Sequence, residues 1–249
     1  MSYVKVKGIV IREVNLGEAD KILTIITKTK GKISAVAKGV RRSRSKLIAG
    51  SQLLCYSDFV LFKGKGMYYI NSCEVIEPFY EIRNDIIKLT YSAHMVEILS
   101  DVVQENQPSS KTLQFFLNTL YLLSRGDRNP ELIARVFELR LLSILGYAPY
   151  VNGCMICGSE DLRSLSFSFS KCGFICSKEG CRTKDEFSLN ILPGTARAVN
   201  HIVNSRLEDL FRFETSPEVL EELKKISFRY LSDRLERDYR KLDFLKTLS

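Results

Sequence analysis

Cys154-Met-Ile-Cys157-Gly sets two thiols at C-x₂-C spacing, and after 18 intervening residues comes Cys176, then, after four more, Cys181. Two such pairs joined by a hairpin-sized insert suit a structural Zn²⁺ site. A tight turn, helped here by Gly158 and Gly180, aims both sulfurs of a pair at one point in space. A closed four-thiolate site has no open coordination position, so it holds structure and does no chemistry. Cys172 also stands at an admissible spacing from Cys176, and the residues alone leave both arrangements open. Seven cysteines in all, five of them within residues 154–181, favour metal ligation in a reducing compartment over a disulfide framework. A redox C-x-x-C motif would not bring a second cysteine cluster. Cys55 and Cys73, in strand-like segments, read as small core residues.

The second chemical feature is a charge pattern. Between Asp20 and Asp58 there is no acidic residue, while the window carries Lys21, Lys28, Lys30, Lys32, Lys38, Arg41, Arg42, Arg44 and Lys46. Residues 1–78 hold 14 cations and 6 anions, a net +8, whereas residues 79–249 hold 23 of each. A segregated excess makes a local potential that draws in phosphates, so a polyanion, whether nucleic acid or an anionic membrane, is the partner to expect of the N-terminal end. Lys28, Lys30, Lys32, Lys38, Arg41, Arg42, Arg44 and Lys46 are the candidate contacts, with Tyr3, Tyr56, Tyr68 and Tyr69 as candidate stacking surfaces.

Other chemistry is poorly supplied. The two histidines, His94 and His201, each sit in a helical pattern far apart in sequence, which gives little material for a Ser-His-Asp or Cys-His constellation. Gly64-Lys65-Gly66 and Gly31-Lys32 lack the spacing of a phosphate loop. Glu18 and Asp20 follow Asn15-Leu16-Gly17 in a hairpin turn, where acidic residues are common. ATP hydrolysis and metal-dependent nuclease chemistry are therefore not expected. Met1 to Lys7 lack the regions of a signal peptide, and no run of about 18 apolar residues is present to span a bilayer, so the chain is expected in the cytoplasm.

These residues need elements to position them. Residues 3–14, 20–29, 31–38, 53–63 and 67–77 are strand-like and separated by turn signals, which predicts a five-stranded barrel over 1–78 such as an OB-fold, with an SH3-like barrel as the alternative. Beyond Pro78 the period becomes helical: one long helix to about Asn106, a second over 110–124, a third over 130–146 with Asn129 as N-cap, Pro130 behind it and Gly146 as stop. Residues 193–204 and 216–239 complete the helices. The predicted class is α+β and multi-domain: a barrel over 1–78, a mostly α-helical domain over 79–249, and a metal module over 150–185 whose LSFSFS segment, 165–170, alternates as a strand does.

Gly17-Glu18-Ala19-Asp20-Lys21-Ile22-Leu23-Thr24 with Thr27 through Gly31 and Val36 to Ser45, the helix Arg135-Val136-Phe137-Glu138-Leu139-Arg140-Leu141-Leu142 with its end Leu145-Gly146-Tyr147-Ala148-Pro149, and the cysteine cluster together resemble one family, the RecO recombination mediators of bacteria. The resemblance implies an N-terminal OB-fold, a helical domain with an embedded zinc module, and a non-enzymatic role. That role is to bind single- and double-stranded DNA, anneal complementary strands and, with RecR, load RecA onto DNA coated by single-stranded DNA-binding protein. In the family pattern the second cysteine pair follows Gly-Gly-x-x-Cys, and Cys172 replaces the first of those glycines. The implied ligands are therefore Cys154, Cys157, Cys176 and Cys181, with a final spacing longer than the family's usual two residues. The resemblance also implies that the helical domain docks the acidic tail of single-stranded DNA-binding protein. Arg135 and Arg140 are the candidates there, since a guanidinium takes a carboxylate bidentately. The competing reading is a transcription regulator or interaction module that carries zinc and a basic barrel.

Overall fold

The computed structural model describes residues 3–64, 66–181 and 188–247. Lys65 of the expected turn and residues 182–185 of the expected module lie outside them. Contacts divide the chain into two compact units, Met1–Asp127 with Lys241–Ser249, and Arg128–Arg240.

The first unit begins with five strands, β1 (Tyr3–Leu16), β2 (Asp20–Thr27), β3 (Gly31–Ala37), β4 (Tyr56–Lys63) and β5 (Tyr68–Glu77). They close in the order β1-β2-β3-β5-β4. Closure depends on the length of β1: its first half pairs with β4 (Tyr3↔Phe62 to Ile9↔Tyr56) and its second half with β2 (Gly8↔Thr27 to Leu16↔Asp20). A register shift between Val10 and Arg12 bends the strand from one partner to the other. The last seam is the parallel pairing of β3 with β5, limited to Ala35↔Tyr68 and Val36↔Tyr69. This is the five-stranded OB-type barrel, and the SH3-like alternative is set aside. Alternate residues fill the interior: Val6, Val10, Leu23, Ile25, Ile33, Phe59, Leu61 and Ile70 form one buried cluster.

The long helix expected after Pro78 is two. A single turn, α1 (Tyr80–Arg83), is followed by α2 (Ile86–Val102). The break falls at Asp85, whose carboxylate accepts from the N–H groups of Ile87 (2.9 Å) and Lys88 (3.1 Å) and so starts a new helix. Helix α3 (Ser110–Arg125) packs on β2, and the segment Lys241–Thr247, a 3₁₀ turn, packs on α2.

The second unit is built on α4 (Pro130–Ile144), which packs against α5 (Pro193–Asn204) and α6 (Pro217–Leu235). Asn129 caps α4 by accepting from the Glu131 N–H at 2.8 Å, with Pro130 in the first turn as expected. Ten of its fifteen residues are buried, so α4 is a central helix and not an amphipathic surface one. The unit also holds a three-stranded sheet ordered β7-β6-β8, with β6 (Leu165–Ser168), β7 (Gly173–Cys176) and β8 (Ser188–Ile191). Phe167 of β6 meets Phe174 and the Tyr230 ring of α6 edge-on, which fastens the sheet to the helices. No helix among the described residues is long and apolar enough to cross a membrane.

Candidate metal centre and nucleic-acid interface

The Cys154–Cys157 turn lies against β7. The Met155 N–H donates to the Phe174 carbonyl at 2.9 Å, and Gly158, at φ +70°, closes the turn with its N–H on the Cys154 carbonyl. Because β7 ends in Cys176, the docking brings the two pairs together: the sulfurs of Cys154, Cys157, Cys176 and Cys181 lie within 4.8 Å of one another. Cys157 and Cys176 are 3.6 Å apart, close to the ~3.8 Å edge of a tetrahedron with metal–sulfur bonds of about 2.3 Å. Burial raises the Cys154 thiol, but the N–H groups of Cys157, Cys176 and Ile156 outweigh it and hold the pKa at about 6. Cys181 is pushed up to about 12 by burial and by its neighbouring thiols. Donors aimed at one sulfur and a crowd of thiols in need of a cation make the site compatible with a metal ion. Cys172 is outside the group: at φ +58° it directs its sulfur to the Phe169 carbonyl, 3.6 Å away.

The basic loop after β3 is shaped by two anchors. Val40 and Leu47 are buried in the barrel core, and between them Arg41, Arg42, Arg44 and Lys46 are exposed. Successive turn bonds, Arg42 N–H to Gly39 and Ser45 N–H to Arg42, keep this segment compact. The β1–β2 turn holds it from the other side. The Asp20 carboxylate accepts the Gly39 N–H at 2.7 Å, while Arg41 donates from its backbone to the Ala19 carbonyl and from its guanidinium to Gly17 at 3.1 Å.

Beside the loop runs a row of rings. Tyr3, Phe62 and Tyr69 are neighbours across β1, β4 and β5. Phe62 and Tyr69 stack at 5.0 Å and 13°, and Tyr3 meets Phe62 edge-on. Tyr3 is 59% exposed, and Lys38 closes the other end of the row over Tyr69. Tyr68 packs partly into the core, and partly buried Tyr56 has its hydroxyl pKa raised by burial and then by Asp58, so neither belongs to the row. The expected cations fall into two groups. Lys38 to Lys46 follow β3, while Lys28, Lys30 and Lys32 lie at its start, about 20 Å away along a seven-residue strand.

Two family models cover this chain: "Recombination protein O N terminal" matches residues 1–79 and "Recombination protein O C terminal" matches residues 83–243. The chain belongs to the RecO family. A protein of Acetivibrio thermocellus named DNA repair protein RecO is 60% identical, over 100% of this chain and 98% of its own length. Those of Alkaliphilus metalliredigens and Clostridium perfringens, with the same name, are 35% and 32% identical over 98% and 99% of this chain and 99% and 98% of theirs.

Two residues taken from the resemblance to RecO have other work here. Arg135 is 2% exposed, and its guanidinium donates to Glu138 at 2.9 Å and to Ser227 at 3.4 Å. Arg140 donates to the carbonyls of Ile202, Val203 and Ser205, closing the C-terminal end of α5, and burial lowers its pKa. Both guanidiniums are engaged within the fold, Arg135 buried and Arg140 partly so. His94 is buried, and His201 packs on Phe213 with Nε2 at 3.1 Å from the Asp209 carbonyl. Sequence reasoning missed the Asp20–Gly39 bond and Phe62, whose place in the strand alternation, beside buried Leu61, was the available signal.

Proposed function

We propose that this RecO-family protein binds single- and double-stranded DNA without requiring a defined sequence, anneals complementary strands and, with RecR, helps load RecA onto DNA coated by single-stranded DNA-binding protein. The observation that carries the reading is the exposed, acid-free loop at the end of the Tyr3–Phe62–Tyr69 row. Its cations suit phosphates and the rings suit unpaired bases, whereas base-edge donors in a groove-reading helix have no counterpart in that arrangement. Annealing then follows from charge. Two strands repel through their phosphates, and a basic surface that neutralises both lets pairing proceed.

In this reading Lys28, Lys30 and Lys32 extend the phosphate path from the other end of β3. Cys154, Cys157, Cys176 and Cys181 hold a structural Zn²⁺ that fixes β7 against the Cys154 turn and takes part in no bond-making. The protein acts by binding alone, not as an enzyme, in the bacterial cytoplasm and at the nucleoid during repair. The acidic tail of single-stranded DNA-binding protein docks elsewhere than on Arg135 and Arg140.

The test is strand annealing by the full chain on bare and protein-coated complementary oligonucleotides of unrelated sequences, followed by RecA filament formation with RecR added. Faster annealing of every sequence and RecR-dependent filament growth are expected. No acceleration, or acceleration confined to one sequence, overturns the proposal.

A further inference from the structure

Strand β5 leaves β3 after two residue pairs, so the first half of β3 faces residues 104–107 in place of a strand. A cavity of about 420 Å³ opens at this seam, lined by Lys32, Ser34, Lys63, Tyr68, Glu105 and Asn106 among others. Its walls are tightly seated. The Lys32 N–H donates to Gln104 at 3.1 Å, its ammonium to Ser100 at 2.6 Å, and Ser109 to Thr27 at 3.0 Å. Gly31, at φ +59°, brings the backbone so close that a Cβ there would stand 2.3 Å from the carbonyls of Gln104 and Gln107.

We propose that this cavity takes one nucleotide of a bound single strand, with the base inside and the phosphate on Lys63; the proposal rests on the DNA-binding reading above. The mixture of groups argues for a nucleotide over a simple anion. The Lys63 ammonium suits a phosphate, the Lys32 ammonium being held on the Ser100 carbonyl, but a bare-anion site would not include an acidic residue such as Glu105 in its lining. A base gives that carboxylate a partner, because cytosine, adenine and guanine carry an exocyclic amine and thymine does not. Asn106, whose amide can both donate and accept, and Tyr68, which also packs on the barrel core, complete the lining. The volume lies in the range of about 300–1,000 Å³ usual for small-molecule sites.

Position supports the assignment. Lys63 pairs with Tyr68 one residue pair beyond Phe62 and Tyr69 on the β4–β5 ribbon, with side chains on alternate faces, so the cavity lies within one residue pair of the aromatic row. Bases in a duplex are paired and cannot enter, so the site grips single strands and lets go as pairing completes.

The test is a titration of the isotope-labelled full chain with dCMP, dTMP and deoxyribose 5-phosphate, read from amide shifts at Ser34 and Asn106, alongside (dC)₁₂ binding by anisotropy. Glu105→Ala and Asn106→Gly are the variants; glycine tolerates the φ of +59° at residue 106. The expected result is dCMP bound about tenfold tighter than dTMP or the sugar phosphate, with the difference lost in Glu105→Ala. Equal binding of all three probes, or variants that behave as wild type while (dC)₁₂ still binds, overturns the pocket and leaves the DNA-binding reading intact. If (dC)₁₂ does not bind at low salt, both fall.

Discussion

The ammonium of Lys38 lies 5.1 Å from the centroid of the Tyr69 ring, so the first cation of the basic loop and the last ring of the aromatic row form one feature. A strand on that surface meets charge and stacking together, and the two contributions are separable by substitution. Tyr69→Ala is expected to weaken single-stranded DNA binding by about 1–3 kcal/mol, while Tyr69→Phe retains most of it. Duplex binding, with no free base to stack, should change little. Anisotropy on matched single- and double-stranded oligonucleotides checks this.

Asp20 gives a prediction about posture. Removing the carboxylate that holds the Gly39 N–H frees the loop without touching a cation. Asp20→Ala should cost about 1.5–3 kcal/mol in urea unfolding, as for other hydrogen bonds to a charged group, and should reduce DNA affinity even though net charge rises. Higher affinity would mean that charge alone matters.

For the cysteine centre, elemental analysis of purified protein is expected to give about one equivalent of zinc per chain, with tetrahedral thiolate coordination. Cys154→Ser and Cys181→Ser should lose the metal and melt lower. Cys172→Ser, whose sulfur faces the Phe169 carbonyl, should keep it. Loss of zinc in the Cys172 variant would contradict the ligand assignment.

Arg135 and Glu138 form a pair with side chains 3% and 1% exposed. Arg135→Met breaks this buried pair from one side, a loss of about 3–5 kcal/mol of stability. The double replacement Arg135→Met with Glu138→Leu should recover most of that. Denaturant unfolding of the two variants decides it.

Features set by neighbours in sequence were legible before the structure. The strand alternation gave the barrel, Asn129 and Pro130 gave the start of α4, and C-x₂-C gave the cysteine turn, because each is written within a few residues. What was not legible depends on distant contacts. Whether Arg135 is a surface guanidinium or a buried one turns on Ser227, 92 residues away. The helix break at Asp85 was within reach, since an aspartate ahead of an apolar run is a capping signal, but the apolar period continued through it and masked the break. Asp20 reads locally as a turn residue, and only the fold brings Gly39 to it.

The central claim is that the loop after β3 is where phosphates are held. Its most direct test is the dependence of single-stranded DNA affinity on salt for the wild type and for the variant with Lys38, Arg41, Arg42 and Arg44 all replaced by Ala. With about five phosphates engaged, log K against log salt should fall with a slope near −3 to −4, and the variant's slope should flatten toward −1. An unchanged slope in the variant would contradict the assignment.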